Sequence, residues 1–402
     1  MRTSLQGKKL MILGAGILQV PAIQRALGLG IQTIALDMNP RAVGFDCEGV
    51  QAEVISTTDI PAVVDCARKH GIDGIMTIAS DMPVRAIAAV SEELGIPGPT
   101  RQTAIRATDK AEMLHALENA GVSIPRFAVA RSEDEARAAF AAFDCDCILK
   151  PADSSGSRGV SLVSRDDGEA LSAAFHYALA DARNSVVVIE EAMRGPEVSV
   201  ETLSVSGVCN VIQITDKITT GAPHFVEMGH TQPSSLKACE KRAISNLAQA
   251  AAMAIGIENG PAHVEIILTD DGPKIVEIGA RLGGDCITSH LVRLSTGVDM
   301  VESAIRIALG MPAKLNAGYS AGSAIRFFNG PAGTISSIEG VEEALSIEGV
   351  QELGFQREVG DKTGSSMSSV DRTGYIIASG EDARSAVTAC ERALACVSVH
   401  VR

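Results

Sequence analysis

Residues 262–285 read Ala262-His-Val-Glu265-Ile-Ile-Leu-Thr-Asp-Asp271-Gly-Pro-Lys-Ile-Val-Glu277-Ile-Gly279-Ala-Arg281-Leu-Gly283-Gly284-Asp285. Two apolar-rich runs of strand length flank Asp-Asp-Gly-Pro, a turn composition, so the segment reads as a β-hairpin. With Asp271 at the centre of the turn, Glu265 falls directly opposite Glu277. Side chains alternate along a strand, so both carboxylates, with His263, share one face, and Val264, Ile266, Val276 and Ile278 form a core face on the other. Opposed like charges about 5 Å apart cost stability unless something bridges them. A hard divalent cation with oxygen ligands does so, and Mg²⁺ brings a nucleotide's phosphates with it. Arg281 follows within one short loop, in reach of a bidentate phosphate contact. Two solvated surface carboxylates are the plain alternative, but they leave the flanking apolar face unexplained.

Working outward, Ile148-Leu-Lys150-Pro-Ala-Asp-Ser154-Ser155-Gly156-Ser157-Arg-Gly159-Val160 places a lysine at the end of an apolar strand, before a Ser/Gly loop. Small residues let backbone N–H groups approach phosphate oxygens, and Lys150 adds a point charge. A flexible polar hairpin loop is the alternative, and no G-x-x-x-x-G-K-[ST] occurs. Val186–Ile189 then run into Glu190-Glu191-Ala192-Met193, with Glu197 and Glu201 beyond. This strand can present backbone groups to an adenine edge and a following acid to ribose hydroxyls, although such stretches are also ordinary surface chemistry.

Upstream, the apolar run 9–13 ends in Gly14-Ala-Gly16, and Asp37 stands 21 residues after Gly16. The third position of the dinucleotide fingerprint is Gln19 rather than Gly. A dehydrogenase, a tight turn and a small-molecule pocket at the sheet edge all remain open on these residues alone. Strands at 9–13, 33–36 and 74–78 alternate with helices at 19–29, 60–70 and 82–94, which implies a doubly wound parallel sheet. The Gly/Pro cluster at 95–99 marks a domain edge. Beyond it come a helix at 109–120, strands at 145–150, 160–163, 186–190, 197–203 and 208–215, and a long helix at 236–255. Mixed with the 262–278 hairpin and a helix at 298–309, they read as α+β. The last 85 or so residues hold short strands and one amphipathic helix at 381–394.

The chain has 402 residues and a net charge of −14, which lowers any expectation of nucleic-acid or anionic-membrane binding. Aromatics make up 3% with no Trp, so base-stacking platforms are not expected. Nine Cys, without C-x-x-C, read as reduced thiols, and Cys145 and Cys147 are assigned no metal. Glycines interrupt the first apolar run too early for a signal segment, and no apolar stretch reaches the roughly 18 residues of a membrane span. A soluble, cytoplasmic protein is expected.

Over about 101–315 the series Asp109-Lys110, Lys150 with its loop, Glu190-Glu191, Glu197, Glu265 and Glu277-x-x-x-Arg281 resembles the ATP-grasp superfamily. Residues 1–100 resemble its preceding Rossmann-like domain, and 316–402 the small C-terminal α/β domain of the biotin carboxylase group. The resemblance implies an ATP-grasp fold of α/β and α+β parts. It implies that Lys110 and Lys150 bind ATP phosphates, that Ser154, Ser155, Gly156 and Ser157 cover the γ-phosphate, that Glu190 to Met193 form the adenine hinge, and that Glu197 holds ribose. Glu265 and Glu277 would ligate Mg²⁺, with Mn²⁺ as a substitute, and Arg281 would stabilise the transferring phosphoryl group. Gly279 stands where the family often has Asn, so one metal ligand is missing there.

Within the superfamily, the loop 276–285 and Phe225-Val-Glu227-Met-Gly-His230 are similar to bacterial L-amino acid ligases. By that likeness Glu227 and His230 sit by a substrate amino group, in a segment that reads as a loop between Gly221, Pro223 and Pro233, and Gly283 and Gly284 lie beside the substrate. The biotin carboxylase Gln-Val-Glu-His run and a biotin-attachment Met-Lys-Met are absent. The implied activity is ATP-dependent carboxylate–amine ligation through an acyl-phosphate, with ATP, a small carboxylate and a small amine as partners and a homodimer as a frequent state. A purine-pathway or carbamoyl-phosphate-type enzyme and a non-catalytic nucleotide-binding regulator are the alternatives.

Overall fold

The structure, a computed structural model, describes residues 4–222, 225–364 and 368–402. Pro223, one flank of the segment expected to be a loop, lies outside the described residues.

Strands β1 (Lys9–Leu13), β2 (Gln32–Asp37), β3 (Gln51–Val54) and β4 (Gly74–Met76) form a parallel sheet in the order β3-β2-β1-β4. The continuous apolar run of β1 reflects burial on both faces: Leu10 and Ile12 enter one core cluster, Met11 and Leu13 another. Gly14 takes φ +99°, and a Cβ there would press on the Gln19 side chain at 3.0 Å. Asp37 accepts hydrogen bonds from the N–H groups of Ala15 (2.9 Å) and Asn39 (2.9 Å). Both its carboxylate oxygens are therefore spent on backbone, which is the tight-turn reading of this motif.

Strands β5 (Phe127–Ala130), β6 (Cys147–Pro151), β7 (Ser161–Val163) and β8 (Val187–Glu191) form an antiparallel sheet in the order β5-β8-β6-β7. Cys147, Leu149, Val187 and Ile189 pack under the helices Glu133–Ala141 and Ala170–Asp181. Alternation sends Lys150 and Glu190 to the opposite face.

The largest sheet joins β9 (Glu197–Val205), β10 (Val208–Thr219), β11 (Glu227–Gln232), β12 (Gly260–Thr269), β13 (Gly272–Gly279), β14 (Gly322–Phe328), β16 (Val350–Phe355) and β18 (Gly374–Gly380). Its order is β13-β12-β9-β10-β11-β14-β18-β16, antiparallel throughout. Val198, Val200, Val264, Ile266 and Ile278 bury one face against the helices Lys110–Asn119 and Ala238–Ile255. The other face of its first five strands carries the charged side chains. Strands β15 (Gly333–Glu339), β17 (Lys362–Thr363) and β19 (Ser398–Val401) form a small fourth sheet.

Two expectations fail here. Residues 227–232 are not a loop but the strand β11, between β10 and β14. Its sequence, Glu-Met-Gly-His-Thr-Gln, has no apolar alternation; neighbouring elements bury it instead. The hairpin register runs as expected through Glu265 opposite Glu277, then shifts, so that Ile266 pairs with Ile275. Ile275 is consequently a core residue and Val276 is only half-buried.

Candidate active site

The site begins with the hairpin. Glu265 and Glu277 pair directly across β12 and β13. They are not left to repel each other, because each has its own lysine. Lys110 Nζ lies 3.0 Å from Glu277 Oε1 and donates to the Ser154 carbonyl at 2.6 Å. Asp109 caps this lysine's helix by accepting from the N–H groups of Ala111 and Glu112. Burial disfavours the Lys110 charge, but Glu277, Asp81 and Glu190 outweigh it and raise its pKa.

Glu265 Oε2 lies 3.1 Å from Lys217 Nζ, on β10. The same ammonium is 2.6 Å from Glu197 Oε1 and 3.5 Å from Glu227 Oε1. The Lys217 side chain is only 5% exposed. Burial opposes its charge, yet Glu265, Glu197 and Glu227 together raise its pKa well above the ordinary lysine value. A register shift between Ile218 and Thr219 sets Thr219 opposite Glu227, which brings that carboxylate into the group.

The other oxygen of Glu265 faces His263 Nε2 at 3.3 Å, and His263 Nδ1 faces Glu201 Oε1 at 2.6 Å. Burial pulls the imidazole's pKa down, but the two carboxylates win and raise it to about 9, so it is an imidazolium at neutral pH. Gly283 fits against this pair: a Cβ there would meet His263 Nδ1 at 2.8 Å and both Glu201 carboxylate oxygens at 2.9 Å. That packing accounts for Gly283 without a substrate. Gly284 adjoins Ala79, just past β4.

On the β5-β8-β6-β7 sheet Lys150 is 2.8 Å from Glu190, and both are buried. The Glu190 side chain thus serves the lysine. Glu191 is held by Lys274 (2.6 Å) and Arg126 (2.9 Å). Ala192 gives its N–H to the Asp146 carbonyl (2.8 Å), and Met193 is half-buried beyond it. In the loop after β6, Gly156 and Ser157 both take positive φ, +70° and +57°. The Lys110 bond to the Ser154 carbonyl ties this loop to Glu277.

Two of the expected site residues are held by particular partners. Arg281 is engaged in a bidentate ion pair with Asp81, at 2.8 and 3.2 Å. Its guanidinium meets a carboxylate from the loop after β4. Asp81 follows β4, and a bridge between Ile78 and Leu282 joins the two loops. The signal for Asp81 was its place past the carboxyl end of a parallel strand, where open α/β sheets bind ligands.

His230 is 1% exposed and faces Asp285 Oδ2 at 3.3 Å. Arg372 grips the same Asp285 at 2.7 and 2.8 Å and lies 3.6 Å above the Phe327 ring. It also donates to the Glu227 carbonyl (3.2 Å), while Ser369 donates to Glu227 Oε2 (2.8 Å). The carboxyl-terminal segment therefore fixes Glu227. Nothing in the local sequence marked Arg372 or Lys217 for these roles.

The Glu265 and Glu277 oxygens are a hard donor set, partly exposed, and fit Mg²⁺ or Mn²⁺. Among the described residues no helix is long and apolar enough to cross a membrane.

A family model described as the ATP-grasp domain matches residues 143–289, and one described as the L-amino acid ligase C-terminal domain 2 matches 326–402. A formate-dependent phosphoribosylglycinamide formyltransferase of Burkholderia pseudomallei is 30% identical over 357 residues, covering 85% of this chain and 84% of that one. An uncharacterized protein of Sinorhizobium fredii, y4rH, is 26% identical, over 93% of this chain and 78% of its own length. The crystal structure of an L-amino acid ligase from Bacillus licheniformis superposes with a TM-score of 0.86 at 21% identity, covering 99% of each chain. The chain belongs to the ATP-grasp family of carboxylate–amine ligases.

Proposed function

We propose that this ligase joins two amino acids, activating one carboxylate with ATP and releasing ADP and phosphate. The observation that carries the reading is Glu227. Its carboxylate lies on the same sheet face as the Glu265/Glu277 pair, and Ser369 and Arg372 hold it in place. A fixed carboxylate beside a phosphoryl-transfer site suits an α-ammonium. The family likeness of residues 326–402, which contribute Ser369 and Arg372, supports the same substrate class. We take 1–100, 101–315 and 316–402 as the three domains, and a cytoplasmic homodimer as the working state.

The substrate carboxylate attacks the γ-phosphorus, giving an acyl-phosphate and ADP. The amine then attacks the carbonyl, and phosphate leaves. Side chains contribute position and charge rather than covalent chemistry. Lys110, Lys150 and the 154–157 loop would hold the phosphates, Glu190 to Met193 the adenine and Glu197 the ribose. Glu265 and Glu277 would hold Mg²⁺, which when bound neutralises phosphate charge. Arg281 reaches the transferring group by exchanging Asp81 for phosphoryl oxygens.

The sequence relatives favour a second reading, ligation of formate to a phosphorylated ribosylglycinamide. Assays of ADP release with amino-acid pairs, and with formate plus that amine, separate the two. The first reading requires ADP with amino acids and a product containing both. ADP with formate alone would select the second.

A further inference from the structure

One charged residue on this face has no role in the mechanism above. Lys217 Nζ lies among Glu197 (2.6 Å), Glu265 (3.1 Å) and Glu227 (3.5 Å), with its side chain 5% exposed. These are the carboxylates assigned above to ribose, metal and substrate amine. They come from three strands, β9, β12 and β11, and Lys217 stands between them on β10. An ammonium in such a nest occupies the place that an added cation would seek.

We infer that Lys217 is a built-in counter-ion that competes with the divalent cation for Glu265 and so keeps the metal site weak until nucleotide phosphates are present. The inference rests on the proposed metal role of Glu265. The physical argument is charge balance. Without Lys217, three buried or half-buried carboxylates converge and, among the described residues, His263 alone offsets Glu265 from the other side. A divalent ion is then the natural replacement. With Lys217 in place, a metal at Glu265 must push the ammonium toward Glu197 and Glu227, which costs affinity. Phosphate oxygens supply the missing ligands and charge, and tip the exchange. Lys217 is thus a positioning residue: it sets when Glu265 is free.

The test is Mn²⁺ binding by electron paramagnetic resonance, without nucleotide, to the full chain. Lys217→Met should bind free Mn²⁺ at least tenfold more tightly than wild type, and Lys217→Arg should restore the weak wild-type affinity. Unchanged or weaker binding in Lys217→Met would overturn the inference, since a merely structural lysine predicts that. The Lys217→Gln/Glu227→Gln double variant removes one charge of each sign, guards against misfolding and should show the same tightening. If Lys217→Met is isolated unfolded, recovery of its circular dichroism in Mn²⁺ supports the exchange; failure to recover in saturating Mn²⁺ counts against it. Wild type with a non-hydrolysable ATP analogue is the control. No Mn²⁺ there would sink the metal assignment itself, whereas normal binding there with no Lys217→Met effect sinks only this inference.

Discussion

Glu265 and Glu277 face each other across two antiparallel strands, yet each is neutralised by a different buried lysine, Lys217 at 3.1 Å and Lys110 at 3.0 Å. Two opposed carboxylates with no other partner would make the fold as stable or more stable when both are removed. The two lysines reverse that expectation. Glu265→Gln/Glu277→Gln should abolish Mg²⁺-dependent ATP turnover and also lower metal-free stability by about 2 kcal/mol, because it leaves buried ammonium groups short of partners. Urea unfolding in chelator checks this; a gain in stability would contradict the lysine pairing.

Arg281→Ala should reduce turnover by about 10²-fold, the size expected for one preorganised stabilising group. The KM for ATP should stay near wild type, because Arg281 contacts Asp81 and not the adenosine side of the site. Steady-state kinetics decide it: wild-type turnover in the variant would remove Arg281 from the chemistry.

Glu227 and His230 should separate in their effects. Glu227→Gln should raise the KM for the amino-acid substrate strongly, leave that for ATP nearly unchanged, and narrow the preference for α-amino over deamino acids. His230→Ala should act on stability, by about 1–3 kcal/mol, since it leaves the buried side of Asp285 without its imidazole. If ATP KM rises in parallel in Glu227→Gln, β11 is not the amino-group site.

Acid should loosen the packing of helix Val20–Gly28 on helix Met300–Ala308 through Glu302. This buried carboxylate contacts Arg306 and Lys314, each at 2.7 Å, and Arg25 of helix Val20–Gly28. Burial opposes its charge, but these cations win and lower its pKa from 4.5 to about 2. The folded pKa is depressed, so the contribution is present above about 4.5 and is lost as pH falls through about 2. Lys314 is largely exposed, which limits the effect to the order of 2 kcal/mol. Glu302→Gln should flatten the stability profile across that window; an unchanged acid limb would exclude this cluster.

The parts legible in the sequence were those whose signal is local. Burial on both faces writes a continuous apolar run into β1, and a turn composition with alternating flanks sets Glu265 opposite Glu277. The register shift beyond Glu265 carries no local mark, so Ile275 and Val276 were exchanged. Strand β11 was hidden because its burial comes from neighbouring strands rather than its own apolar residues. Asp81 and Arg372 matter through partners far along the chain, as with Arg281 and Asp81, 200 residues apart, and Lys217 through carboxylates that only the strand pairing of β9, β11 and β12 gathers around it.

The central claim is amino-acid ligation through an acyl-phosphate, and the most direct measurement is ADP release on pools of amino-acid pairs, with mass detection of products. ADP and phosphate should form in equal amounts, with a product joining two amino acids, dependent on Mg²⁺ and lost in Glu265→Gln/Glu277→Gln. No ADP with any amino-acid pair, or ADP only with formate and a phosphorylated ribosylglycinamide, would contradict it.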